Sequence, residues 1–164
     1  MINFRPAQPE DYDEIARITR DSYLAAGYFD SAEHPYMRQI EQVERRAEAA
    51  QLWVAERADQ VAGAVTLARH GERFADIALP DELEMRILVV DPAAQRSGIG
   101  KAMVMAVIEL ARTLDGIEAV SLTTGKDWHS AHALYRSLGF SRVPERDWPV
   151  PDTEIWLQVY RLEL

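Results

Sequence analysis

The stretch from residue 83 to residue 111 constrains the fold of this chain more than any other. Charged and apolar residues alternate over 83–86, and every residue over 87–90 is apolar, which is typical of a central strand covered on both faces. Pro92 ends the strand, because proline has no amide hydrogen to donate to a neighbouring strand. An apolar helix follows a short loop, so we expect a strand–loop–helix unit at the centre of the domain.

The loop carries the pattern Gln-x-x-Gly-x-Gly from Gln95 to Gly100. Its two glycines let the backbone turn tightly and let a ligand approach without a Cβ atom in the way. The first amides of the next helix have no partner within the helix, so the loop predicts an anion site. Met103 excludes the dinucleotide fingerprint, and the glycine spacing excludes the phosphate loop of NTPases. The alternative is an ordinary strand–turn–helix corner.

The composition is that of one globular domain over residues 1–164. The chain has 48% apolar and 27% charged residues, and no apolar run is long enough to span a membrane. The start of the chain lacks the basic and apolar regions of a signal peptide. There is no cysteine, which excludes disulfides, a thiolate metal site and an acyl-cysteine mechanism. We therefore expect a cytoplasmic protein.

The net charge of −9 argues against a nucleic-acid binder, which would present a basic face. It is mildly consistent with a cationic amine substrate, although acidic surfaces also simply maintain solubility. His129 and His132 are three residues apart without a third ligand at metal spacing, so we expect surface or pocket histidines and no metal.

Hydrophobic periodicity and turn residues predict the order β-α-α-β-β-β-α-β-α-β-β. The helices are expected from Pro9 onward and over about 35–50, 98–114 and 129–138, and the strands over 2–5, 52–56, 61–69, 83–90, 117–124, from Phe140 and over 154–162. Gly63 within a strand suggests a bulge or close packing. The order predicts an α/β (α+β) domain with a mixed central sheet of about six or seven strands and helices on both faces. The crossover from 83–90 to 117–124 should be parallel.

A second motif, Ala131-x-x-Leu134-Tyr135-x-x-x-Gly139-Phe140, lies in the predicted helix 129–138. Together with the glycine loop after a strand that ends in Val-Asp-Pro, it resembles the GNAT superfamily of acyl-CoA-dependent N-acetyltransferases. The resemblance spans essentially the entire chain. It implies transfer of an acetyl group from acetyl-CoA to a primary amine, by direct attack in a ternary complex. The alternative is a non-catalytic acyl-CoA-binding sensor or interaction module.

The resemblance also implies which residues bind coenzyme A. The pyrophosphate would be held by the loop residues Gln95, Arg96, Ser97, Gly98, Ile99, Gly100 and Lys101. The pantetheine arm would pair with backbone groups of Leu88, Val89 and Val90. Trp128 stands where the family often has an asparagine that touches this arm, so that contact departs from the family pattern.

Two residues are expected to carry the proton transfers. Tyr135 would protonate the leaving thiolate, because an ordinary tyrosine pKa near ~10 suits a thiol-like leaving group. Glu84 is the proposed base, acting through water, with a solvated strand-end carboxylate as the alternative. Asp81 and Glu82 are weaker candidates for the base. A backbone amide over 88–90 would stabilise the carbonyl oxygen where this strand separates from 117–124.

In this family the segment between the first two helices lines the acceptor pocket. That implies substrate contacts from the aromatic residues Tyr23, Tyr28, Phe29, His34 and Tyr36, with Phe74 and Asp76 from the long loop 70–82 as further candidates. The alternative is that the aromatic rings pack the helices onto the sheet. The expected partner is a small-molecule or peptide amine, with no nucleic acid or membrane, and a homodimer is one expected assembly.

Overall fold

The computed structural model describes residues 1–164, with the side chain of Tyr36 excepted. One eight-stranded sheet forms the centre of the molecule, with the strand order β1-β2-β3-β4-β5-β8-β6 and β7 paired to β8. The strands are β1 Asn3–Pro6, β2 Gln51–Arg57, β3 Gln60–Arg69, β4 Glu82–Val90, β5 Ala119–Gly125, β6 Ser141–Arg142, β7 Trp148–Pro149 and β8 Trp156–Glu163. The predicted hairpin of 52–56 and 61–69 is confirmed by the β2–β3 pair.

Five α-helices pack on the sheet. They are α1 Tyr12–Ala25, α2 Pro35–Ile40, α3 Val43–Ala49, α4 Ile99–Arg112 and α5 His129–Ser137. Short 3₁₀ turns at Pro9–Asp11, Pro92–Ala94 and Pro144–Arg146 each begin with a proline, whose fixed φ suits the first position of such a turn. No helix of the described residues is long and apolar enough to cross a membrane.

Two hydrophobic cores lie on opposite faces of the sheet. One contains α4 and α5 side chains such as Met103, Val107 and Tyr135. The other contains Ile15 and Ile18 of α1 together with residues of α2 and α3. The prediction of an α/β domain with helices on both faces of a mixed sheet is confirmed.

The β4–β5 pair is the parallel one, and it opens before the strands end. Pairing runs only from Glu82 to Met85, although β4 continues to Val90. Just beyond that point Ile87 has a φ of 52°, and the β3–β4 register shifts between Ala64 and Thr66. A β-branched residue in the left-handed region marks a local bulge. The predicted separation of the two strands near 88–90 is therefore present.

Gly63 shows why β3 tolerates no side chain at that position. A Cβ atom there would lie 2.7 Å from the Met103 sulfur and 2.8 Å from the Val89 carbonyl oxygen. The β2–β3 register also shifts beside it, between Ala55 and Glu56. The bulge and the close packing expected from Gly63 both occur.

The prediction of one helix over 35–50 was wrong. The chain leaves the helical conformation after Ile40, and Gln42 has a φ of −77° and a ψ of 72° before α3 begins. The break lets α2 bury Met37 and lets α3 bury Val43 and Arg46 against the sheet. Arg46 is fully buried and donates to Thr66 Oγ1 at 3.3 Å, a position that helical spacing alone does not reveal.

Candidate functional site

A cleft of about 440 Å³, here called the loop cleft, opens where β4 separates from β5. One wall is the C-terminal half of α1, the opposite wall is the glycine loop, and β4 and α5 form the floor. The lining residues are Ser22, Tyr23, Ala26, Tyr28, Leu88, Val90, Ala94, Gln95, Arg96, Gly98, Ile99, Gly100, Ser130, Ala131, Leu134 and Tyr135. The two motifs found in the sequence therefore meet in one cavity.

The glycine loop is shaped to present amides. Arg96 and Gly98 both lie in the left-handed region, with φ of 63° and 84°. The Ala102 amide is the first of α4 to bond back, to the Gly98 carbonyl at 3.0 Å. This leaves the first three amides of α4, at residues 99–101, without an acceptor inside the helix. Their partial positive charge favours an anion at this end of the loop cleft.

Asp91 fixes the start of the loop. Its carboxylate accepts from the Ala93 amide at 3.0 Å and from Arg17 Nη2 of α1 at 2.6 Å. Burial would raise the pKa of Asp91, but the Arg17 and Ala93 hydrogen bonds outweigh it and hold the pKa below its usual range. The Arg17–Asp91 pair therefore ties the two walls of the loop cleft together.

Tyr135 lies in the loop cleft with only 7% of its surface exposed. Its ring packs against Phe140 and Tyr160, with centroids 5.8 and 6.0 Å away. Burial raises the pKa of the Tyr135 hydroxyl, and the nearby Tyr28 hydroxyl acts in the same direction. The side chain therefore holds its proton at neutral pH, and its pKa lies above the ordinary tyrosine value that was expected to match a thiol.

One turn before Tyr135, His132 is buried, so its prediction as a surface or pocket histidine was wrong. Its Nε2 lies 2.9 Å from the Gly125 carbonyl oxygen and its Nδ1 lies 2.6 Å from the Tyr160 hydroxyl. A carbonyl oxygen can only accept, so Nε2 carries a hydrogen, and in the neutral ring the Tyr160 hydroxyl donates to Nδ1. His132 therefore joins α5 to the end of β5 and to the middle of β8.

Glu84, the predicted base, lies beneath the loop 70–81 and not among the residues that line the loop cleft. Its fully buried carboxylate accepts from the amides of Asp76, Ile77 and Ala78 at 3.1, 2.7 and 2.9 Å. Burial raises the pKa of Glu84, while these amides and the Arg86 charge oppose the rise. The alternative of a solvated strand-end carboxylate is wrong, because no part of this side chain reaches water.

Trp128 lies outside the loop cleft, on the far side of Tyr28. The Tyr28 and Trp128 rings stack with centroids 4.4 Å apart and an interplanar angle of 18°. A second cleft of about 520 Å³, here called the aromatic cleft, begins at this stack and extends to the 154–156 segment. Trp128 thus lines the aromatic cleft and not the loop cleft, and its contact with the pantetheine arm stays a prediction.

The remaining predicted residues divide between the clefts and the cores. Tyr23 and Tyr28 line the loop cleft, whereas Phe29 is buried among the α1 and α2 side chains. The described residues that were predicted to bind the cofactor but do not line the loop cleft are Val89, Ser97, Lys101 and Trp128. Val89 faces the opposite side of the sheet, as the strand alternation requires. Tyr36 lies outside the described side chains.

Sequence reasoning missed several lining residues. They are Ser22, Ala26, Ala94, Ser130, Ala131 and Leu134, small or apolar side chains of α1, the loop and α5. Ala131 and Leu134 belong to the motif around Tyr135, whereas nothing in the local sequence of α1 indicates its position over the loop. Among the described residues, no group of three or more His, Asp or Glu is placed to hold a metal ion.

Comparisons with known proteins identify the family to which this chain is similar. A family model described as the acetyltransferase (GNAT) family matches residues 12–140. N-acetylaspartate synthetase of Danio rerio is 35% identical over 137 residues, which are 83% of this chain and 46% of the relative. N-alpha-acetyltransferase RimI of Mycobacterium tuberculosis is 41% identical over 64 residues, which are 39% of this chain and 38% of the relative. The chain thus spans less than half the length of these relatives.

Solved structures share the whole fold. A GNAT-family acetyltransferase of Staphylococcus aureus Mu50 superposes with a TM-score of 0.76 at 18% identity, covering 100% of this chain and 99% of that one. An acetyltransferase of Salmonella typhimurium, solved with its cofactor acetyl-CoA, has a TM-score of 0.69 at 22% identity, covering 99% and 94%. With the family model spanning most of its length, this chain belongs to the GNAT family of acetyltransferases.

Proposed function

We propose that this protein is an N-acetyltransferase that moves the acetyl group of acetyl-CoA to a primary amine by direct attack in a ternary complex. The observation that carries the proposal is the loop cleft, in which an amide-lined anion site and a protonated, buried Tyr135 share one cavity. Family membership supports the same reaction class. The names of the two curated relatives refer to an amino-acid product and to an N-alpha amine, which supports an amine acceptor.

The residues of the loop cleft fit coenzyme A. The α4 amides and Arg96 would hold the pyrophosphate, and Gly100 has no side chain to stand between the loop and β4, where a Cβ atom would lie 3.7 Å from Val90. Leu88 and Val90 lie on the part of β4 that no longer pairs with β5, so their backbone groups would face the pantetheine arm. The Val90 carbonyl accepts a long hydrogen bond of 3.4 Å from the Gln95 side chain, which the arm would displace. Bound acetyl-CoA supplies an acyl thioester that an amine nitrogen can attack.

The protein would supply three things to this reaction. The amides near Leu88 lie where charge develops on the carbonyl oxygen. Tyr135 gives its proton to the sulfur as the carbon–sulfur bond breaks and the carbon–nitrogen bond forms. The amine gives up one proton, for which Glu84 stays the predicted acceptor through water. That role requires the loop over 76–78 to release the Glu84 carboxylate first.

The test is a thiol-release assay with acetyl-CoA and a panel of amines, run on the wild-type protein and on Tyr135→Phe. We expect kcat to fall about 100-fold or more in the variant, because a positioned acid contributes roughly 10²–10⁴-fold. The Kd for coenzyme A, measured by calorimetry, should stay within about threefold, since phenylalanine keeps the packing. Tyr12→Phe, at the start of α1 and outside the loop cleft, is the matched control.

A different result would support the alternative function. Coenzyme A binding without thiol release on any amine of the panel would indicate an acyl-CoA sensor. A Tyr135→Phe variant as fast as Tyr12→Phe would remove Tyr135 from the acid role. The homodimer and the cytoplasmic location remain predictions, and light scattering on the purified protein tests the first of them.

A further inference from the structure

The aromatic cleft borders the loop cleft through shared side chains. Ala26 and Tyr28 line both cavities, and Tyr28 acts electrostatically on Tyr135 across the border. The other lining residues of the aromatic cleft are Gly27, Gly125, Lys126, Asp127, Trp128, Glu154, Ile155 and Trp156. Its volume of about 520 Å³ lies within the range of roughly 300–1,000 Å³ found for small-molecule sites. A molecule seated there would therefore lie next to the reacting end of the loop cleft.

One wall of the aromatic cleft is a rigid aromatic surface. Trp128 stacks on Tyr28, and Tyr23 packs edge-on against Tyr28 and at a tilt against Trp128, with ring centroids 5.8 Å from each of the two. Gly125 makes room for this arrangement, since a Cβ atom there would lie 2.4 Å from atoms of the Trp128 ring. Because Tyr23 is part of the α1 core, the wall is held in place before any ligand arrives.

Another part of the aromatic cleft carries an apolar surface that the fold itself does not cover. Trp156 begins β8 and leaves 45% of its surface exposed, although a tryptophan normally buries its large ring. Ile155 lies beside it in the same wall. The exposed ring of Trp156 favours a flat or bulky apolar group, and the face of a tryptophan ring also attracts a cation.

The charges of the aromatic cleft favour a positive ligand. Asp127 and Glu154 bring two carboxylates, neither of which forms an ion pair with another described side chain, against the single charge of Lys126. No arginine lines this cavity among the described residues, so a carboxylate-bearing acceptor would find no bidentate partner there. An ammonium group is accordingly attracted to the cavity and an anionic group is not.

We propose that the acceptor is a small primary amine that carries an aromatic or similarly bulky apolar group, an arylalkylamine. Its ring lies against the exposed side chain of Trp156, and its nitrogen points past Tyr28 toward Tyr135. This assignment rests on the proposed acetyl transfer. The amine nitrogen forms a bond to the acetyl carbon and loses one proton, while the carbon–sulfur bond breaks and the sulfur gains one.

The experiment compares 2-phenylethylamine with ethylamine, aspartate and a short peptide with a free N-terminus, in the thiol-release assay. We expect kcat/KM for 2-phenylethylamine to exceed that for ethylamine and for aspartate by about 10-fold or more, since neither of the two has a ring to contact Trp156. Trp156→Ala should raise the KM for 2-phenylethylamine about 10-fold and leave the KM for acetyl-CoA unchanged. Met105→Ala, which removes an equally exposed apolar side chain from α4, is the matched control.

A second measurement separates this assignment from the proposed reaction. Calorimetry with coenzyme A present reports binding of 2-phenylethylamine without any turnover. Binding that Trp156→Ala weakens, with no thiol release from any amine, would contradict the acetyl transfer and retain the ligand class. Turnover of aspartate or the peptide in preference to 2-phenylethylamine would overturn the ligand class and retain the acetyl transfer. A Trp156→Ala variant with an unchanged KM for 2-phenylethylamine would also overturn it.

Discussion

Single side chains hold the walls of the loop cleft in place, and His132 is the clearest case. It is buried, it bonds to the Gly125 carbonyl on one side and to the Tyr160 hydroxyl on the other, and it sits one helical turn from Tyr135. A buried polar group without its partner costs about 1–3 kcal/mol, so both bonds matter to the position of α5. His132 acts on Tyr135 only by fixing the helix, as a positioning residue.

Removing the Tyr160 hydroxyl tests how much the His132 hydrogen bond stabilises the protein. We expect Tyr160→Phe to lower the free energy of unfolding by about 1–2 kcal/mol, because Nδ1 of His132 loses its buried donor. Urea denaturation followed by circular dichroism measures the change. Tyr12→Phe, whose hydroxyl has no hydrogen-bond partner among the described residues, is the matched control and should change the value by less than about 0.5 kcal/mol. Equal values for the two variants would mean that the His132–Tyr160 bond is not stabilising.

Functional residues that belong to one short contiguous motif could be predicted from the sequence. Gln95–Gly100 and Tyr135 were found because each sits inside a contiguous pattern, and both lie at the loop cleft. The partners of Glu84 could not be found, since the amides of 76–78 reach it only through the fold of the preceding loop. Trp128 was assigned by its place in a motif, whereas its ring position is decided by contact with Tyr28.

At the scale of elements, β4 carries charged side chains that are fully or mostly shielded from water. Glu82, Glu84 and Arg86 alternate on one face of the strand, and the loop 70–81 folds over them. Glu82 accepts from the Leu79 amide at 3.2 Å, and Arg86 donates to the Phe74 carbonyl at 3.1 Å. The alternation over 83–86 was interpreted as a half-buried strand, and the structure shows that loop amides and arginines replace the solvent on that face.

The lowered pKa of Glu82 predicts that the protein loses stability at low pH. Burial would raise its pKa, but hydrogen bonds from Arg146, the Leu79 amide and Arg161 lower it from 4.5 to about 2. A lowered carboxyl pKa gives stability that is present above the ordinary pKa and is lost as the pH falls through the folded one. We expect the wild-type protein to lose about 3 kcal/mol from this group between roughly pH 4.5 and pH 2, at about 1.4 kcal/mol per pKa unit.

Glu82→Gln tests this in urea unfolding curves measured at several pH values. The variant should be less stable at pH 7 and should show a flatter decline toward low pH. Glu109→Gln, on the exposed face of α4, is the matched control and should keep the wild-type curve. A variant with the same decline as the wild type would assign the acid sensitivity to other carboxylates.

The helix break after Ile40 shows the limit of periodicity for elements. Apolar residues at 40, 43 and 47 keep helical spacing across the break, so the pattern continues while the backbone does not. The reason is tertiary, because the two short helices bury different faces against α1 and β2. Strand positions were better indicated, since alternation and turn residues bound each strand locally.

At the scale of the whole molecule, the sheet separates the two hydrophobic cores, and β4 and β5 move apart beyond Met85. The loop cleft lies there, and side chains of both cores line it, such as Tyr135 of one and Tyr23 of the other. The net charge of −9 gives the protein no long-range attraction for an anionic cofactor. Binding of coenzyme A therefore depends on the local amides and on the shape of the glycine loop.

The increase in unfolding free energy that bound coenzyme A causes measures how strongly the loop cleft holds this ligand. Coenzyme A at a concentration of about 100 Kd should add about 2.7 kcal/mol to the free energy of unfolding, which raises Tm by roughly 5–10 °C in a domain of this size. Gly100→Ala places a methyl group in the loop cleft without a backbone clash, and should reduce this shift while leaving the ligand-free Tm within a few degrees. ATP at the same concentration is the control ligand. A shift with ATP and none with coenzyme A would indicate a nucleotide site instead.

The left-handed backbone at Ile87 has a consequence for how the thermal stability of the protein can be increased. The left-handed conformation costs about 1–2 kcal/mol for a residue with a side chain. Only 8% of Ile87 is exposed, and burying such a side chain gains about 1.5–3 kcal/mol. Glycine at this position would remove the backbone strain, but it would also lose the free energy gained by burying the isoleucine side chain. Screens for thermostable variants should therefore find position 87 unproductive, and gains in melting temperature should come from sites away from the strand that shapes the cleft.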